Sequence, residues 1–195
     1  MKRFALAMLV SAALPALAAN VGQPAPDFTL SDLSGKTVKL SSLKGKTVVL
    51  EWVNPECPYV QKHYNSANMP GLQKEYGAKV TWLTINSTRE GHSEFKSPQE
   101  MQAWMKQKGG APAATLLDRD SKVGKLYGAV TTPHMYVIDP KGTLVYAGAI
   151  DDKRSTREAD VKTAKNYVRV ALEESLAGKS VSTASTTPYG CTVKY

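Results

Sequence analysis

The run Val48-Val49-Leu50-Glu51-Trp52-Val53-Asn54-Pro55-Glu56-Cys57-Pro58-Tyr59-Val60 carries one thiol out of an apolar stretch and into a proline-containing turn. Helical periodicity begins at the next residue. The sequence therefore places the Cys57 sulfur at a helix N-terminus. Unpaired backbone N–H groups and the positive end of the helix dipole there favour a thiolate, the nucleophilic form of cysteine. The chain has two cysteines, and the second, Cys191, lies almost at the C-terminus. Two thiols so far apart suit redox chemistry better than a disulfide framework, which a chain of this length does not need.

The elements that must hold Cys57 can be read on either side of it. Residues 47–53 form a near-continuous apolar run ending at Asn54-Pro55, the pattern of a strand buried on both faces. Pro58 suits the first turn of a helix, expected to reach about residue 66. Pro70 marks a break or restart towards Gly77. Residues 28–30, 37–40, 80–85 and 114–117 read as further strands. Ser97-Pro98-Gln99-Glu100 is a capping box that opens a helix to about residue 108, and a short helix is expected over 121–127. Strands at 135–138 and 143–147 flank the hairpin signal Asp139-Pro140-Lys141-Gly142. Ser155 to Glu158 reads as a second capping box, and Val161, Ala164, Val168, Ala171 and Leu172 as the apolar face of a last helix that Gly178 ends. Helices alternating with strands, closed by a hairpin, give one α/β domain with a mixed sheet. Residues 180–195 form a Ser/Thr-rich tail that must be tied down.

Lys2 and Arg3, an apolar core over residues 4–14, Pro15 and Ala16-Leu17-Ala18 have the form of a secretory signal cleaved after Ala18. The apolar run is too short to span a bilayer, so no stable membrane insertion is expected. The organisation expected is a signal peptide at 1–18, a domain at 19–179 and the tail at 180–195, in a periplasmic or secreted protein. The net charge of +8 falls to +6 once Lys2 and Arg3 leave, and no long basic run remains, which argues against a nucleic-acid partner. No cofactor or metal is called for. Trp52, Trp82 and Trp104 read as packing residues, Lys62 as an exposed lysine and His63 as a solvated helix residue.

The strand, Cys57 at a helix start, and Thr131-Thr132-Pro133 ahead of a strand together resemble the thioredoxin fold. The chain is similar, more narrowly, to peroxiredoxin-like redoxins of the alkyl hydroperoxide reductase/thiol-specific antioxidant family. Asn54-Pro55-Glu56-Cys57-Pro58-Tyr59-Val60 and Pro188-Tyr189-Gly190-Cys191 carry that likeness. The resemblance implies a thioredoxin-like three-layer α/β/α domain with a central mixed sheet. It also implies that Cys57 is the attacking thiol, that Pro133 is the cis-proline opposite it, and that Thr132 offers backbone groups to a substrate strand. Glu51 falls at the position of a buried acid that shuttles a proton.

The departures from the pattern bear on function. Val60 stands where thioredoxins carry a second cysteine, so Cys57 has no local partner. Leu50, Asn54 and Pro133 replace the proline, the Thr or Ser and the arginine of the usual peroxide clamp, although Asn54 can still donate an amide hydrogen bond. Cys191 remains as the resolving thiol, or as one end of a structural bridge. The expectation is an exported thiol oxidoreductase that uses Cys57 on disulfide or peroxide substrates, with a thiol/disulfide protein as partner. A true thiol peroxidase is one alternative. A non-catalytic binding or metal-handling module, using Cys57 with His63 and His134, is the other; Gln61 stands where copper-handling relatives add a cysteine.

Overall fold

The structure is a computed structural model and describes residues 19–195; the expected signal at 1–18 lies outside the described residues. Among the described residues, nine strands and five α-helices follow one another in chain order. They are β1 (Thr29–Asp32), β2 (Thr37–Lys39), β3 (Thr47–Trp52), α1 (Pro58–Asn65), α2 (Asn68–Tyr76), β4 (Val80–Asn86), α3 (Pro98–Gln107), β5 (Ala114–Leu117), α4 (Lys122–Tyr127), β6 (Thr131–Thr132), β7 (His134–Ile138), β8 (Leu144–Gly148), α5 (Tyr167–Leu176) and β9 (Cys191–Thr192). Seven strands make one sheet in the order β2-β1-β5-β4-β3-β7-β8. The inner strands β5, β4 and β3 run parallel, and β1, β2, β7 and β8 join antiparallel. This is the mixed sheet expected from sequence.

All six residues of β3 are buried, because both sheet faces are covered. Period-two alternation then sends its side chains to opposite cores. Val49 and Val53 enter the layer of α1, α2, α3 and α5, together with Cys57, Tyr64, Leu72 and Leu172. Val48, Leu50 and Trp52 enter the other layer with Phe28, Tyr127 of α4 and Tyr136. Glu51 sits between Val49 and Val53 and therefore shares the Cys57 side of the sheet.

Local signals explain most boundaries. The Ser97 side chain accepts from the Glu100 N–H at 3.3 Å and the Glu100 carboxylate accepts from the Ser97 N–H at 2.7 Å, the capping box read from sequence. Asp139 takes the N–H groups of Lys141 and Thr143 to turn the β7–β8 hairpin. Past α5 the Lys179 N–H bonds to the Glu174 carbonyl and the Gly178 N–H to that of Ser175, with Gly178 at φ +70, so glycine stops the helix as expected.

The second capping box does not form. Ser155 donates to the Asp160 carboxylate and Glu158 accepts from Asn65, leaving a 3-10 segment over Glu158–Thr163. The α5 N-cap is Asn166, whose side chain accepts from the Arg169 N–H at 2.9 Å. Among the described residues no helix is long and apolar enough to cross a membrane.

The tail is tied down along its length. It first runs beside β8, where the Ala147 N–H bonds to the Ala184 carbonyl and the Thr186 N–H returns to the Ala147 carbonyl. The Thr186 hydroxyl also accepts from the Ala149 N–H. It then crosses the front of the sheet, where β9 pairs antiparallel with β6 and sets Cys191 opposite Thr132. The Tyr195 hydroxyl ends the path on the Ala129 carbonyl.

Candidate functional site

Cys57 is the N-cap of α1, at the end of a turn that Asn54 builds. The Asn54 carbonyl accepts from the Cys57 N–H at 3.1 Å, and its side-chain oxygen accepts from the Glu56 N–H at 2.9 Å. Pro58 takes the first helical position without wasting a donor, and the Gln61 N–H closes the first helical bond on the Cys57 carbonyl. Glu56 is drawn aside by Lys96 at 2.6 Å. The thiol points inward and is 1 % exposed. Its Sγ donates to the Thr132 carbonyl at 2.9 Å, and the Thr132–Pro133 bond is cis.

Three residues named from sequence thus meet at one point. Cys57 caps α1, Thr132 ends β6, and Pro133 joins β6 to β7. Cys191 is the fourth, brought by the tail. In the β6–β9 pair it faces Thr132, whose carbonyl accepts from the Cys57 thiol, so the two cysteines flank the same residue. Burial first, and then the neighbouring Cys57, hold the Cys191 thiol well above the ordinary cysteine range. Gly190 makes the close approach possible. Its φ is +143, and a Cβ there would lie 2.0 Å from the Thr132 carbonyl oxygen.

Glu51 lies on the same face, fully buried. Its Oε2 accepts from Trp82 Nε1 at 2.7 Å and Gln73 Nε2 at 3.1 Å, while Oε1 has no hydrogen-bond partner. Burial outweighs those donors and raises the carboxyl to about 7. A group so placed holds or releases a proton near neutrality.

The remaining sequence readings fare differently. Asn54 is buried, but its amide donates to Glu94 Oε2 at 2.5 Å and is not free for a substrate oxygen. His134 pairs in register with Trp52 and stacks on Tyr136 with ring centroids 4.5 Å apart, on the opposite sheet face from Cys57. Cys57, His63 and His134 therefore do not converge on one point. Lys62 and His63 are buried, against the expectation of a solvated helix face. Val60, His63 and Tyr64 follow helical spacing, so the periodicity already placed His63 on the buried side. Lys62 is covered by the tail and by the segment after β8, which no local pattern announces.

Sequence reasoning also missed Asp151 and the Tyr189 hydroxyl, which meet Lys62 and His63. It missed Glu94 as well, which holds Asn54 through one oxygen and lies 3.6 Å from Lys194 of the tail through the other. The Tyr189-Gly190-Cys191 run was the one available signal, and it marks the ring without its hydroxyl chemistry.

Residues 21–147 match the model of the AhpC/TSA family. The chain is 30 % identical over 149 residues to the thioredoxin-like protein YneN of Bacillus subtilis, covering 72 % of this chain and 79 % of that one. It is 27 % identical over 133 residues to the thiol-disulfide oxidoreductase ResA of Bacillus thuringiensis, covering 65 % of this chain and 68 % of ResA. The crystal structure of a conserved protein from Geobacillus kaustophilus superposes with a TM-score of 0.77 at 27 % identity, covering 90 % of this chain and 92 % of that one.

Proposed function

The chain belongs to the AhpC/TSA family and is a thioredoxin-like, thiol-dependent oxidoreductase, and from that premise we propose that Cys57 and Cys191 act as one dithiol on disulfides of an exported protein partner. The Cys57 thiolate attacks one sulfur of the partner disulfide, forms a mixed disulfide and expels the other sulfur as a thiolate. Cys191, once deprotonated, attacks the Cys57 sulfur, breaks the mixed bond and releases the second partner thiol. The product is a Cys57–Cys191 disulfide and a reduced partner, and an external dithiol resets the pair. Run backwards, the same steps oxidise a partner.

One observation carries this reading. Two cysteines far apart in the chain converge on Thr132: the Cys57 thiol donates to its carbonyl, and Cys191 pairs with it across the β6–β9 ladder. The assignment of roles follows from electrostatics. Burial first, and then the neighbouring Cys57, hold the Cys191 thiol well above the ordinary cysteine range, so the first attack falls to Cys57 at the helix N-cap. Glu51, raised to about 7, serves as the internal proton store on that side of the sheet. The engagement of the Asn54 amide by Glu94 favours disulfides over peroxides, because it removes a donor from the peroxide clamp. Export is proposed from the signal-like residues 2–18 and fits a substrate that carries disulfides.

Reduced Cys191→Ser protein, mixed with a disulfide-bonded protein, tests the reading by mass spectrometry. The expected result is a stalled mixed disulfide on Cys57, and in the unmodified protein a Cys57–Cys191 disulfide with released partner thiols. An inert Cys57, or oxidation by hydrogen peroxide far faster than by any disulfide, overturns it.

A further inference from the structure

The tail reaches Cys57 through a ladder of only two residues, too short to hold a strand by itself. Strand alternation turns Tyr189, Cys191 and Val193 to the same inward side. Tyr189 is 4 % exposed, and its hydroxyl enters a cluster of buried polar groups: Lys62 is 1 % exposed, His63 0 % and Asp151 2 %. The donors and acceptors there can be ordered. Asn166 Nδ2 donates to Asn68 Oδ1 at 3.1 Å, so Asn68 presents its own amide N–H to His63 Nδ1 at 2.8 Å. His63 Nδ1 is then an acceptor, and Nε2 carries the proton to Tyr189 Oη at 3.2 Å. The tyrosine hydroxyl passes its own hydrogen to Asp151 Oδ1.

Lys62 Nζ closes the cluster. It stands 3.4 Å from Tyr189 Oη and 3.6 Å from Asp151 Oδ2, and donates to the Lys153 carbonyl at 2.8 Å. His63 Nε2 is 4.0 Å from Asp151 Oδ2, yet this is no ion pair. Burial and the neighbouring Lys62 depress the imidazole to about 3, so it stays neutral as the relay requires. The charges that remain, one ammonium and one carboxylate, offset each other.

We infer that Tyr189 is the positioning residue of the resolving half-reaction: its hydroxyl, received by His63, Lys62 and Asp151, latches the tail and sets the effective concentration of Cys191 at Cys57. The inference rests on the reading of Cys57 and Cys191 as a redox pair. It makes the latch, rather than the short β6–β9 ladder, the element that decides how well the tail competes with a partner for the Cys57 sulfur. With the tail docked, a missing hydroxyl leaves the His63 N–H buried without a partner and leaves Asp151 Oδ1 with the Lys153 N–H alone. With the tail released, both groups reach water. The substitution therefore weakens docking specifically.

The test is a titration of full-length protein without its signal in glutathione buffers of graded poise, with Tyr189→Phe beside the unsubstituted protein. In this assay glutathione disulfide forms a mixed disulfide with Cys57, and Cys191 displaces the second glutathione as a thiol. Tyr189→Phe is expected to lower the equilibrium constant for the Cys57–Cys191 disulfide roughly tenfold or more. In reduced Cys191→Ser protein, the same change is expected to speed the reaction of Cys57 with dithiodipyridine, because the covering strand lifts more often. An equilibrium constant unchanged by Tyr189→Phe overturns the latch, and so does an unchanged Cys57 rate. A purely structural residue would lower the urea midpoint of the reduced domain and leave that rate alone. If Tyr189→Phe does not fold, Asn68→Ala is used, which unties the His63 tautomer outside the tail. A smaller fall in the same equilibrium constant is then expected, and no fall overturns the latch. If the unsubstituted protein forms no Cys57–Cys191 disulfide at any poise, the redox-pair reading itself fails, a result separate from the latch outcomes.

Discussion

Glu51 carries a carboxyl group that the fold holds protonated well above the usual range. Its burial is legible in sequence, since an acid inside residues 47–53 has water on neither sheet face. Its donors are not legible, because Trp82 and Gln73 come from β4 and α2. Desolvation raises the carboxyl from 4.5 to about 7. Between those values the folded protein keeps a proton that the unfolded chain has lost, so stability falls as pH rises through this window. The shift corresponds to a contribution of the order of 3 kcal/mol that is complete above the folded value. Urea unfolding of the reduced protein at pH 5 and pH 8 is expected to show the loss, and Glu51→Gln to abolish most of it, leaving the variant the more stable protein at pH 8. A wild-type slope that survives in Glu51→Gln assigns it to other groups. The same substitution is expected to slow the thiol–disulfide step at neutral pH, read by stopped-flow Trp82 fluorescence. Trp82 is the suitable reporter, because Trp52 packs on the opposite face with Tyr127 and Tyr136.

At the scale of elements, the tail decides the chemistry through two glycines. Gly148 lets Thr186 settle against β8, since a Cβ there would lie 2.2 Å from the Thr186 hydroxyl oxygen, and Gly190 lets β9 close on Thr132. Gly190→Ala is expected to leave the seven-stranded sheet folded by circular dichroism while breaking the β6–β9 approach. The Cys57–Cys191 disulfide should then fail to form under mild oxidation, and Cys57 should alkylate several times faster. An intact disulfide in Gly190→Ala would mean that the backbone yields at Thr132. These dependences explain what was and was not legible. Strands β3, β4, β5 and β7 follow from their apolar runs, and α3 from its capping box, because the signals are local. The start of α5 was misplaced because Ser155 found Asp160, a competing acceptor five residues on. Lys62 and His63 were misread because the surface that buries them, Tyr189 and Asp151, comes from far along the chain.

At the scale of the whole molecule, the sheet order puts β3 between β4 and β7 and delivers Cys57 beside the turn before β7, while the chain end pairs with β6 there. The α/β class with a mixed sheet was legible from the alternation of helices and strands, and the three-layer form from the resemblance. The closure by the tail was legible only as two cysteines with nothing between them to explain either. That closure has a thermodynamic consequence. A Cys57–Cys191 bond closes a loop over about three-quarters of the described chain, and on the chain-entropy model a loop of that size stabilises the fold by roughly 4–5 kcal/mol, less any strain. The reduced tail, held by Tyr189, Thr186 and Tyr195, already spends part of its entropy when docked, but the unfolded chain feels the crosslink in full. Urea titration of oxidised and dithiothreitol-reduced protein is therefore expected to separate their midpoints by about 2 M, taking a slope of about 2 kcal/mol per molar for a domain of this size. Cys191→Ser is expected to unfold at the reduced midpoint with or without dithiothreitol. Coincident midpoints in the unsubstituted protein, with the bond verified by peptide mapping, would mean that strain in the oxidised form cancels the entropy gained. By the thermodynamic cycle the folded pair would then form its disulfide no more readily than the unfolded chain does, which shifts the balance away from partner reduction and towards partner oxidation.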